Sequence, residues 1–198
     1  SRYRRAMAKV DRPDQRVRVW DLPTRIVHWG LALAVIGSVT TAKLGGAAVT
    51  WHFRLGNVVF TLLAFRLVWG FVGGRWSRFA NFVRGPGTVL RYLRGERRDA
   101  DRFDAGHNPL GALSVLAMLG LLALQVGTGL VADDEIATTG PLNSLVSGDI
   151  ARLASGWHAS WGQYVIIALV LLHVGAVVYY LRVKKRNLIA PMWHGDKA

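Results

Sequence analysis

The stretch WHASWGQYVIIALVLLHV, residues 157–174, decides the fold. It carries no charge and is mostly apolar. Extended to about 20 residues, such a segment spans a hydrocarbon core of about 30 Å as a helix. His158 and His173 stand 15 residues apart in it. On a helix that spacing places them about 60° apart around the axis and about 22 Å apart along it. They therefore lie near one face, one toward each side of a membrane. An ionisable side chain at membrane depth needs a partner, and its presence points to function.

Working outward, four segments reach spanning length: Ile26 to Gly46, Phe53 to Gly73, Leu110 to Val131 and Trp161 to Leu181. The expectation is an all-α integral membrane protein, a bundle of four transmembrane helices. Asp21 and Pro23 mark a start for the first helix, Gly45-Gly46 its end, and Gly73-Gly74 the end of the second. The chain then divides into a basic segment over 1–25, a transmembrane domain over 26–181 and a basic tail over 182–198.

Composition agrees. Of the 198 residues 52% are hydrophobic, yet 25 Lys and Arg face 12 Asp and Glu. Eight of these basic residues fall in 1–25, eight in 75–107 and five in 182–198, against one each in 43–51 and 132–160. The positive-inside rule then puts both termini and the second loop in the cytoplasm. Because the net charge of +13 is divided among three segments, it reads as topology and contact with the lipid bilayer, not as a nucleic-acid-binding face. Trp20, Trp29, Trp51, Trp69, Trp76, Trp157 and Trp161 lie near expected helix ends, where an aromatic belt forms, and Trp193 falls in the tail. The first twenty residues hold no apolar run of the signal-peptide kind, so the first span is expected to be retained.

Within the loops, residues 75–98 form a basic and aromatic segment broken at Gly85-Pro86-Gly87, expected to lie on the cytoplasmic surface. The external loop over 133–160 carries Asp133, Asp134 and Glu135 and a short amphipathic piece around Leu142 to Leu153. It is the candidate docking surface for an external partner.

Two more histidines fall in the apolar spans. His52 starts the second helix on the external side, level with His158, while His28 lies inside the first helix on the cytoplasmic half, level with His173. No other pairing of the four matches both members in depth. A single histidine on an apolar helix reads as a hydrogen-bonded packing residue. Four matched in two pairs read as axial ligands of two haem irons, His28 with His173 and His52 with His158. Zinc or copper would require a third ligand at the same depth. The chain has no cysteine, so covalent haem attachment and cysteine-held iron–sulfur clusters are excluded. His107 and His194 fall in loop and tail and read as solvated residues.

Arg66 sits inside the second span, 14 residues after His52, hence about 21 Å deeper, at the level of the inner pair. No Asp or Glu occurs within the four spans, which makes a haem propionate its candidate partner, with snorkelling toward Gly73 as the alternative. Arg54 is placed to serve the outer haem in the same way, or to anchor the helix at the interface. Gly56, one turn from His52, leaves room for a flat macrocycle. Gly120, Ala123 and Gly127 form a small-residue stripe on the third helix, which reads as a packing surface and scaffold.

Four motifs carry a resemblance: VWDLPTRIVHW (19–29), WHFRLGN (51–57) with Arg66 downstream, GHNPLGA (106–112) and the opening stretch. Together they resemble the bacterial cytochrome b561 and nickel-hydrogenase cytochrome b family over residues 17 to 190. The resemblance implies a four-helix cytochrome of the bacterial inner membrane with two non-covalent haem b groups, ligated by His28 with His173 and by His52 with His158. It also implies quinone as a redox substrate. Members differ in partner, some anchoring a periplasmic hydrogenase and others exchanging electrons with a periplasmic c-type cytochrome. Two axial histidines per iron leave no position for O₂, so the expected chemistry is outer-sphere electron transfer. The rivals are a histidine-bearing transporter or proton channel and a purely structural anchor. A homodimer is a further candidate assembly.

Overall fold

A computed structural model describes residues 17–96, 108–133 and 138–197. His107, Asp134 and Glu135 lie outside the described residues, as do 1–16.

Helix α1 spans Leu22–Leu44 and α2 spans Val49–Val72. Two short helices follow, α3 over Phe79–Phe82 and α4 over Pro86–Leu93, then the long α5 over Pro109–Val131. Helix α6 (Gly148–Gly156) runs through a π turn at Trp157–Gly162 into α7 (Gln163–Arg182), and α8 covers Ile189–His194. The only sheet among the described residues is a two-residue antiparallel pairing of β1 (Val17–Arg18) with β2 (Asp196–Lys197). Four helical segments are long and apolar enough to cross a membrane: Leu22–Leu44, Gly46–Val72, Pro109–Val131 and Gly148–Arg182. The chain is a four-helix membrane bundle.

The helix ends follow local chemistry. Asp21 caps α1 by accepting from the Thr24 backbone N–H at 2.9 Å, and Gly45 ends it at φ 65°, a conformation that favours glycine. Helix α1 therefore begins four residues before the hydropathic span, at its cap. Gly73 closes α2, as its position indicates. The Gly85-Pro86-Gly87 break turns out to start a helix, with Gly85 as its N-cap and Pro86 in its first turn. The fourth span is longer than its apolar run because α6 joins it without a loop. Polar residues on α6 hide that continuity from a hydropathy reading.

Helices α1 and α2 form the most extensive pair. Gly30 and Gly37 permit the approach, since a Cβ at either would meet Leu62 Cδ1 or Leu55 Cδ1 at 2.9 Å. Val27, Ala34, Val59, Leu63, Leu119 and Ile166 are buried inside, whereas Leu33, Phe71 and Leu172 are 71%, 73% and 69% exposed. Large aliphatic and aromatic side chains turned outward along spanning helices are what a lipid environment accommodates. The stripe Gly120, Ala123 and Gly127 does not serve as a packing surface within the chain. Ala123 is exposed and open space lies beside both glycines.

The first and last described segments, 17–20 and 195–197, meet at one side of the bundle, here the termini side. The α8–β2 segment folds back onto the entry to α1, where Gly195 O accepts from the N–H groups of Val19 and Trp20 at 3.0 and 3.1 Å.

Candidate histidine-pair sites

The fold brings the four histidines together in two pairs. On the termini side His28 of α1 faces His173 of α7, with ring centroids 6.2 Å apart. On the far side His52 of α2 faces His158 of the π turn at 5.9 Å. With a metal–nitrogen bond of about 2.0 Å and a centroid about 1.1 Å behind the nitrogen, two imidazoles on opposite sides of one metal stand about 6 Å apart. Both pairs fit that spacing. No group of three or more His, Cys, Asp or Glu exists among the described residues, so the donor set is two imidazoles at each site, the set a haem iron takes axially.

Hydrogen bonds orient the far-side rings. His52 Nδ1 lies 2.9 Å from Ser38 O and 3.1 Å from Ser38 Oγ, and His158 Nδ1 lies 2.8 Å from Gln125 O. A carbonyl only accepts, so Nδ1 of each ring carries the hydrogen and Nε2 keeps its lone pair for a metal. Gly129 lets the His158 ring sit against α5, because a Cβ there would lie 2.6 Å from His158 Cε1. On the termini side His28 Nδ1 is buried without a hydrogen-bond partner. A buried imidazole nitrogen left unpaired is costly in a protein interior, and a bound group at this pair fits that orphan.

The other expected site residues take definite places. Open space lies beside Gly56. Arg54 is exposed and its guanidinium stacks on Trp51 at 4.9 Å, the geometry of an interfacial anchor. Arg66 is buried at 7% exposure, with Nη1 donating to Ser77 O at 3.4 Å and the guanidinium 5.1 Å from the Phe79 ring. Although no carboxylate lies within a span, Arg66 and Asp21 at the α1 cap share Ser77, whose carbonyl accepts from Arg66 and whose hydroxyl donates to Asp21 Oδ2 at 2.7 Å.

Several residues contribute in ways that their sequence signal does not disclose. Asp21 gathers the Thr24 N–H, Ser77 Oγ at 2.7 Å and Trp69 Nε1 at 3.1 Å, tying α1 to the end of α2. Its burial pushes the carboxyl up, but hydrogen bonds from Thr24, Ser77 and Trp69 outweigh that and hold it below the ordinary aspartate range. Ser38 and Gln125 look like ordinary polar residues on apolar helices until their carbonyls are seen against the imidazoles. Trp193 stacks on Trp29 at 5.1 Å, and Trp29 Nε1 donates to Met192 O at 3.2 Å, so α8 lies over the residue next to His28.

The family model described as prokaryotic cytochrome b561 matches residues 19–195. A Bradyrhizobium diazoefficiens protein named "Probable Ni/Fe-hydrogenase B-type cytochrome subunit" is 22% identical over 213 aligned residues, covering 91% of this chain and 85% of that protein. An Escherichia coli protein named "Probable Ni/Fe-hydrogenase 1 B-type cytochrome subunit" is 27% identical over 190, covering 79% of this chain and 80% of that protein. No solved structure matches the chain significantly. Two histidine pairs on a four-helix membrane scaffold, and a family match from the start of α1 to the tail, agree: the chain belongs to the prokaryotic cytochrome b561 family, electron-transfer b-type cytochromes of the membrane.

Proposed function

We propose that this chain carries single electrons across the bacterial inner membrane through two haem b groups, one held by His28 and His173 and one by His52 and His158. The observation that carries the reading is the pair of imidazole separations, 6.2 and 5.9 Å, at opposite ends of one bundle. Haem supplies the one-electron Fe(III)/Fe(II) couple, and the protein's part is to ligate, orient and shield it. His52 and His158 hold their rings against Ser38 O and Gln125 O, which fixes the ligating nitrogen and strengthens it as a donor. Gly56 and Gly129 keep side chains out of the space the rings and macrocycle need. Arg66 places a buried positive charge on the termini side, where a propionate of the inner haem would offset it.

Basic residues concentrated beside both chain ends support a cytoplasmic termini side, which makes the His52–His158 site periplasmic. The chain then exchanges electrons between the quinone pool and a periplasmic redox partner such as a c-type cytochrome. The names of the two relatives favour a second reading, in which the partner is a nickel-iron hydrogenase. Haem reduction of the oxidised protein by purified hydrogenase under H₂, set against haem oxidation of the reduced protein by a ferric c-type cytochrome, separates the two.

The central test is haem content. Two non-covalent haem b per chain are expected by pyridine haemochrome assay, with a reduced-minus-oxidised spectrum of bis-imidazole b-type haem. A colourless protein would support a proton channel or transporter, and a single haem would dismantle one of the pairs.

A further inference from the structure

Resting on the haem reading above, we propose that Gln125 of α5 is the positioning residue for His158, fixing the ring of the outer axial ligand and so tuning the outer haem. Helix α5 bears no histidine and by sequence is scaffold, yet Gln125 grips His158 at both of its ends. Its main-chain carbonyl accepts from the imidazole Nδ1–H at 2.8 Å, and its side-chain Nε2 donates to His158 O at 2.9 Å. The second bond is made at a π turn, Trp157–Gly162. Such turns widen the helix, disturb the regular ladder and recur at functional sites. A main-chain carbonyl beside a metal ligand is thereby tied to another helix.

Two glycines make the grip sterically feasible. At Gly129 a Cβ would lie 2.6 Å from His158 Cε1 and 3.0 Å from Nδ1, and at Gly162 a Cβ would collide with the Gln125 side-chain oxygen. Both faces of the Gln125–His158 contact therefore need a residue without a side chain. His28 shows no such grip among the described residues, its Nδ1 being the nitrogen left open for a bound group. A hydrogen bond from the distal imidazole nitrogen raises ligand basicity, and its partner fixes the ring plane. Loosening the grip should move the outer haem alone.

The test is Gln125→Leu, which keeps the volume and the main-chain carbonyl but removes the amide donor. Wild type is measured first, and absence of haem there would refute the parent reading rather than this one. Haem signals are assigned to the two sites by their loss in His52→Ala and His28→Ala. The variant should retain both haems, with the ferric low-spin EPR signal of the outer haem displaced and its midpoint raised as the Nδ1–H···O bond weakens, the inner haem unchanged. Should Gln125→Leu fail to accumulate, Gln125→Met retains the length and flexibility of the side chain without a donor, and it should shift the same signal. Both haems unmoved would reduce Gln125 to a packing residue. Equal shifts or losses at both haems, or failure of both variants to fold, would make it a support of the whole bundle, and either result overturns the proposal.

Discussion

Arg66 has two partners to reconcile. With no acid inside a span a haem propionate is its expected partner, while in the structure Ser77 O accepts from it at 3.4 Å and the Ser77 hydroxyl joins it to Asp21, just outside α1. The two fit together if Arg66 bridges the cap cluster and the inner haem. Arg66→Leu removes a positive charge from a low-dielectric region, where its field is far stronger than in water. That charge favours the electron-rich ferrous state. The inner-haem midpoint should therefore fall, with the outer haem, about 22 Å away by helix rise, nearly unaffected. Redox titration of the purified variant checks this, and an unchanged inner midpoint at full haem content would restrict Arg66 to the Asp21 cluster. Asp21 supplies a pH dependence of opposite origin. Its folded-state pKa is depressed, so its contribution to stability is present above the ordinary aspartate range and is lost as pH falls through the folded value. Thermal melts should show destabilisation only on acidification, and Asp21→Asn should flatten the profile.

Among the elements, what the sequence revealed and what it concealed have separate physical causes. Spans and caps were legible because they depend on local rules: apolar run length, Asp21 with Pro23, and Gly45 and Gly73 at helix ends. Histidine depth was legible because helix rise is nearly constant, so 15 residues convert to about 22 Å, a distance that the π turn at His158 only shortens. The π turn was not legible, since nothing in WHASWG distinguishes it from an α-helical turn without knowing that Gln125 approaches from α5. The tail was also opaque. Residues 189–194 are too few for periodicity to register, and α8 is fixed by tertiary contacts: Trp193 against Trp29, and Gly195, at φ 91°, where a Cβ would lie 2.7 Å from Trp20 O. Because the Trp29 ring packs edge-on against His28 at 5.1 Å, α8 is linked to the inner site through Trp29. Deleting residues 188–198 should lower the temperature at which the inner haem is released while sparing the outer haem, followed by visible spectra during a thermal ramp. Equal release of both haems would make the tail a general clamp.

Across the whole molecule, the chain path accounts for the pairing. Helix α1 leaves the termini side and soon passes His28, α2 starts from the far side with His52 in its first turn, and the π turn and α7 span the bundle with a histidine at each level. Antiparallel neighbours thus match depths that lie far apart in sequence, 145 residues for His28 with His173 and 106 for His52 with His158. Each pair is one unit, because an iron that loses one imidazole loses the bis-histidine environment altogether. His52→Ala or His158→Ala should therefore remove the same spectral component and about half of the haem, and His28→Ala or His173→Ala the other half. The surviving haem should keep its midpoint, the two sites being separated by roughly the 22 Å between His158 and His173 along the helix. Haem quantification with redox-resolved spectra of the four variants provides the measurement. If His28→Ala and His158→Ala eliminated the same component, the bundle would have to connect its helices across depth in a way that the 6.2 and 5.9 Å ring separations do not allow.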